Sequence, residues 1–182
     1  MFTGIQQYAI TELGLSQIYL NEDKIANIRK WLNPQDLTNF EPLPVHDFGN
    51  GRLTLTDGHS RAYLAYTLGI QTLPVVYDTD DIIVCETGQM LYKNDIVWCE
   101  RFHIHSVCDL KNRVVSHSAY QELWEGRCDK AYDLLTQTTE EQRQVWQTLR
   151  KDLYLYGASK DLSLLFFEDE NGISFSIPNT FK

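Results

Sequence analysis

The sequence predicts an α+β fold, and three observations carry that expectation. Through residue 86, short apolar runs bounded by Gly, Pro, Asn and Asp alternate with segments of helical period. Beyond residue 86, apolar residues recur mainly at steps of three and four, the mark of a largely helical part. The chain then closes on two apolar runs flanking Asn171-Gly172, a strong hairpin signal. The expected organisation is an N-terminal domain over residues 1–86 and a helical subdomain over 87–182 ending in a β-hairpin.

Taken in order, residues 8–10 (Tyr-Ala-Ile) read as a short strand, and 17–20 as an extended entry to a helix. Asn21 suits the N-cap, with Glu22 and Asp23 in the first turn, where the helix dipole favours acids. Ile25, Ile28, Trp31 and Leu32 follow at helical spacing, and Asn33-Pro34 marks the end. Residues 43–48 and 52–56 read as hairpin strands around Gly49-Asn50-Gly51, whose residues tolerate positive φ. A helix is expected over 60–68, closed by Gly69, and then a strand over 73–77 whose Pro74 suggests a strand start or a sheet edge. Helices are expected near 88–102, 117–135 and 139–155, the last opened by a capping box from Thr138 to Glu141 and stopped at Gly157. Tyr120, Trp124, Tyr132, Trp146, Tyr154 and Tyr156 fall at helical steps and are expected to pack helices rather than stack bases.

With 182 residues, the chain is long enough to bury a substantial core, and 43% hydrophobic with 23% charged residues is a globular balance. Four scattered cysteines (Cys85, Cys99, Cys108, Cys128) fit reduced thiols better than a disulfide framework. Neither a membrane-length apolar run nor a secretory signal pattern is present, so no membrane partner and a cytoplasmic location are expected. A net charge of −9 disfavours sequence-independent nucleic-acid binding, because such a surface repels a phosphate backbone. One small anion in a local basic pocket is compatible with that charge.

The most informative stretch is Asp57-Gly58-His59-Ser60-Arg61, where an alternating apolar run meets the start of a helix. Gly58 permits a sharp turn, and the first N–H groups of the helix lack intrahelical acceptors. Together with the positive end of the dipole they attract an anion. Arg61 and His59 add side-chain donors and Ser60 a hydroxyl, a set suited to a phosphate. An ordinary Asp-Gly turn followed by an ordinary helix cap would produce the same string.

The order of strand, helix, hairpin, corner, helix and strand over residues 8–77 resembles the ParB/sulfiredoxin-like superfamily. The specific part of the likeness is Leu43-Pro44-Val45, the stretch from Asp57 to Ala62, Leu68-Gly69-Ile70 and Leu73-Pro74-Val75-Val76. In that superfamily the corner contacts a nucleotide phosphate. Sulfiredoxins carry a nucleophilic cysteine at the place of His59, so the resemblance does not extend to their chemistry. ParB partition proteins carry Gly-Glu-Arg-Arg and a basic helix-turn-helix region; Gly58 and Arg61 match, the middle two residues do not, and the chain is acidic. The corner is most similar to the Asp-Gly-His-Thr-Arg of the free-serine kinases, with Ser60 keeping the threonine hydroxyl.

That likeness implies a kinase using ATP or ADP with Mg²⁺ to phosphorylate a small hydroxyl compound such as serine. It implies nucleotide contacts from Gly58, His59, Ser60 and Arg61, and a glutamate base nearer the N-terminus. Glu22 is one equivalent of that base; an alternative alignment puts Gln17 there, which cannot take a proton, and leaves Asp57 as the acid in the corner. The alternatives are a non-catalytic nucleotide-binding regulatory module and a DNA-associated ParB relative. Homodimerisation stays open. Glu22 and Asp57 also have ordinary readings as a dipole-complementing acid and a turn residue.

Two further clusters carry less. Cys99, His103, His105 and Cys108 are zinc-ligand types, but their spacing matches no common zinc site, and no zinc or other metal centre is expected from them. Asp78, Asp80 and Asp81 form a polar turn, and His46 and Asp47 lie on the strand beside the corner's own.

Overall fold

In the computed structural model, residues 4–137, 165–169 and 172–176 are described. They form two compact units, one through Trp124 and the other from Glu125. The protein is of the α+β class, with a four-stranded mixed sheet surrounded by short helices in the first unit.

That sheet has the order β1 (Gln6–Ala9), β5 (Thr72–Tyr77), β3 (Leu43–Asp47), β4 (Leu53–Leu55). β5 runs parallel to β3 and antiparallel to β1, and β3 and β4 make the expected hairpin, with His46 opposite Thr54. Gly49 and Gly51 take φ of 95° and 73° in the turn. Pro74 therefore lies in an interior strand, not at a sheet edge. The reason is the register: β3 pairs with β5 only from Val75 onward, so at Pro74 just the β1 side is bonded.

α1 (Glu22–Arg29) starts where expected, with the Asn21 side chain accepting from the N–H of Asp23 at 2.9 Å. It ends earlier than the apolar spacing suggests, because three-residue turns at Lys30 and Trp31 tighten the backbone before Asn33. α2 (His59–Thr67) buries Ala62, Leu64 and Ala65 completely and stops before Gly69 at φ 85°. With Leu43, Val45, Leu55, Leu73 and Val75 of the sheet, all fully buried, these residues make the core.

The first unit extends well past the division expected after residue 86. β6 (Val114–Val115) pairs in parallel with β2 (Leu20–Asn21), and the 3₁₀ turn Val107–Asn112 packs on α2. Between them run α3 (Asp81–Val84) and α4 (Glu86–Arg101), and α4 reaches back to the sheet through two side chains. The Gln89 amide meets Nε2 of His46 at 3.2 Å, and the Tyr92 hydroxyl donates to the carbonyl of Thr56 at 3.2 Å. Helical period alone does not say on which body a helix folds. α5 (His117–Tyr120) and a π-helical turn, Gln121–Glu125, carry the buried Tyr120 and Trp124 at the end of this unit.

In the second unit, α6 (Gly126–Gln137) runs beside β7 (Leu165–Asp169), which pairs antiparallel with β8 (Gly172–Ser176) in the closing hairpin. The helix expected over 139–155, its capping box at Thr138, and Gly157 lie outside the described residues.

Candidate functional site

The corner between β4 and α2 is assembled from three directions. β4 delivers Thr56 and Asp57, Gly58 turns the chain, and His59 opens the helix. Gly58 sits at φ 78°, ψ 15°, the left-handed region that glycine reaches without penalty. Space adds a second requirement: a Cβ there would lie 2.5 Å from Cδ2 of Leu43 and 3.0 Å from Nη2 of Arg61.

Glycine at the N-cap leaves α2 without a side-chain cap, whereas Asn21 caps α1 and the Cys85 thiol caps α4. The first N–H groups of α2 consequently keep their capacity for an external acceptor. Ser60 is buried at the start of this helix.

His59 turns inward. It is 3% exposed, and its Nε2 accepts from the N–H of Ser16 at 3.2 Å. The Ser16 hydroxyl in turn donates to the carbonyl of Leu55 at 2.8 Å. Burial pushes the imidazole pKa down to about 4, against a smaller upward pull from Asp57. His59 is thus a neutral imidazole with its proton on Nδ1, and it braces the corner from beneath.

The segment that supplies Ser16 is itself anchored along β4. Gly14 donates to the carbonyl of Leu53 at 2.8 Å and accepts from the N–H of Leu55 at 3.0 Å. Arg52 holds the carbonyls of Glu12 and Leu13 at 3.0 and 3.1 Å. Ser16 is a site residue that the sequence does not advertise, since one serine before a helix has no distinguishing spacing.

Arg61 lies across the mouth of the corner. Its side chain is only 16% exposed, Nη1 donates to the carbonyl of Glu41 at 3.1 Å, and Nη2 stands 3.5 Å from Asp57 Oδ2. The carboxylates of Asp57 and Glu41 are 81% and 89% exposed, and Glu41 Oε2 is 3.9 Å away. Long pairs with solvated carboxylates contribute little, so an anion arriving at the guanidinium has weak competition. The guanidinium carbon is also 5.9 Å from the centre of the Phe40 ring.

Of the expected residues, Asp57, Gly58, His59, Ser60 and Arg61 come together in this corner. Glu22 is at the exposed start of α1, and among the described residues no hydrogen bond or ion pair joins it to the corner. Gln17 is occupied as a donor: its amide gives hydrogen bonds to the Tyr19 carbonyl at 2.7 Å and the Tyr120 hydroxyl at 3.1 Å.

Beside the corner, the Thr56 hydroxyl donates to Asp78 Oδ2, and His46 Nδ1 meets the Asp78 carbonyl at 2.8 Å. With Gln89 on its other nitrogen, His46 is a bracket joining β3, the end of β5 and α4. Cys99 is buried while His103 and His105 are exposed, and among the described residues no group of three His, Cys, Asp or Glu side chains is placed to hold a metal. Among the described residues, no helix is long and apolar enough to cross a membrane.

No family model matches the chain, and neither does any curated protein. Among solved structures it is similar to protein Atu1540 from Agrobacterium tumefaciens, at 12% identity and a TM-score of 0.42, over 76% of this chain and 83% of that one.

Proposed function

We propose that this is a nucleotide-binding protein of the ParB/sulfiredoxin-like fold, and that it transfers a phosphoryl group from ATP or ADP to a small hydroxyl compound of the serine kind. The observation that carries the reading is the uncapped start of α2 behind Gly58, with Arg61 beside it, anchored on the Glu41 carbonyl and paired with carboxylates only at long, solvated distances. Backbone N–H groups and a guanidinium are the donors that phosphate oxygens take, and the buried His59 keeps them in place without bringing a competing charge. The order β1-β5-β3-β4, with the corner following β4, supports the fold assignment.

The residues suit a nucleotide with Mg²⁺. That ion keeps much of its water and takes most of its other ligands from phosphates, so it would be held chiefly by the nucleotide itself. Mg²⁺ would neutralise charge on the transferred group. Arg61 and the N–H groups of Ser60 and Arg61 would orient that group, and Asp57 would be the acid within reach of an acceptor hydroxyl. A homodimer is not needed for any of these roles.

A second reading, a non-catalytic nucleotide-binding module, is favoured by one observation. Gln17 is committed as a donor and Glu22 does not join the corner, so neither is poised as a base there. Incubation with ATP or ADP, Mg²⁺ and a panel of hydroxyl amino acids separates the two. A phosphorylated product supports transfer; nucleotide binding without turnover supports the module. A DNA-associated role is disfavoured by the net charge of −9.

A further inference from the structure

Trp31 is an exposed aromatic next to the corner, and its setting differs from that of the other exposed apolar side chains. It is 49% exposed, and its ring centre lies 6.2 Å from that of the buried Phe40 at an interplanar angle of 50°. Phe40 is the same ring over which the Arg61 guanidinium sits at 5.9 Å. Indole, phenyl and guanidinium thus form a continuous row that begins at the phosphate-type donors and ends in solvent.

The backbone beneath the row is fixed by local bonds. The N–H of Trp31 donates to the Ile28 carbonyl at 3.1 Å, and the N–H of Phe40 to that of Leu37 at 2.9 Å. Between them, Asn33 Oδ1 accepts from the N–H of Gln35 at 3.0 Å and Asp36 Oδ1 from the N–H of Thr38 at 3.0 Å. A backbone fixed in this way lowers the ordering cost when a flat ligand covers the rings it carries.

Resting on the nucleotide reading above, we infer that Trp31 is the platform for the nucleobase of a nucleoside di- or triphosphate whose phosphates lie at Gly58–Arg61. The row is short enough for an extended nucleoside diphosphate to bridge it. The exposed flat face of the Trp31 indole suits a base.

The test is calorimetric titration of the full chain, in Mg²⁺, with ADP and with inorganic pyrophosphate. Wild type, Trp31→Leu and Arg61→Ala are compared; leucine keeps an apolar cover over Phe40 and removes the π face. Trp31→Leu is expected to weaken ADP by roughly tenfold, about 1.4 kcal/mol, and to leave pyrophosphate unchanged. Arg61→Ala is expected to weaken both. Equal ADP affinity in wild type and Trp31→Leu overturns the platform while an Arg61 effect keeps the phosphate site. Loss of ADP and pyrophosphate alike in Trp31→Leu also overturns it, as does a wild type that binds neither ligand; the last result removes the nucleotide reading as well.

Discussion

The Nε2 of His59 lies 3.2 Å from the backbone nitrogen of Ser16, so a buried neutral imidazole ties the start of α2 to the segment that runs along β4. The bond requires an unprotonated nitrogen. In the unfolded chain the same ring titrates near 6.5, whereas in the fold its pKa is about 4. Between those values the unfolded state binds more protons, so stability falls as pH drops from 6.5 toward 4 and is fully present above 6.5. The contribution is on the order of 3 kcal/mol. Thermal unfolding from pH 7 to pH 4 should show this acid limb in the wild type and a flatter profile in His59→Gln. Superimposable profiles would mean the imidazole is not held neutral.

Gly58 has two independent reasons to be glycine, its φ of 78° and the 2.5 Å approach of Leu43 to a virtual Cβ. Gly58→Ala should therefore cost about 2 kcal/mol or more, combining the left-handed penalty with displacement of a fully buried leucine. Urea unfolding reads this as a lower midpoint at unchanged slope. An alanine variant as stable as wild type would contradict the corner's geometry.

The two acids considered as bases make separable predictions. If Asp57 takes the acceptor proton, Asp57→Asn lowers product formation by about 10²-fold or more, the scale of general-base contributions. Glu22→Gln leaves it near the wild-type rate, since Glu22 is on the exposed first turn of α1 and, among the described residues, has no hydrogen bond or ion pair to the corner. Initial rates of phosphorylated product decide between them. The reverse pattern would return the base to Glu22.

Much of the fold is legible in the sequence because its signals are local. Asn21 caps α1 through its own side chain, and glycines at positions 49, 51, 58 and 69 all take the positive φ that their turns require. The non-local features are not legible. Pro74 reads as an edge or strand-start residue, yet it sits in an interior strand because the β3 pairing begins only after it, at Val75. The helices after residue 86 have the right period, but it takes tertiary contacts, those of Gln89 and Tyr92 among them, to place α4 on the first unit. At the site, Asp57 to Arg61 stand out as a string, whereas the direction of His59 depends on Ser16, which is 43 residues away in sequence. Trp31 reads as a helix-face residue until Phe40 and Arg61 are brought beside it.

The salt dependence of nucleotide binding should follow the site's charge. Arg61 is largely shielded, at 16% exposure, so raising ionic strength should weaken ADP binding less than it would at a fully solvated arginine. Titrations at two salt concentrations check this, and a steep loss would indicate attachment at the exposed surface instead.

The most direct measurement is calorimetric titration of ATP and ADP, each with Mg²⁺, into wild type and Arg61→Ala. A charge-assisted phosphate contact at the start of α2 predicts binding by the wild type and a loss of roughly tenfold or more in the variant. No binding by the wild type, or equal affinity in the two proteins, would contradict a nucleotide site between Gly58 and Arg61.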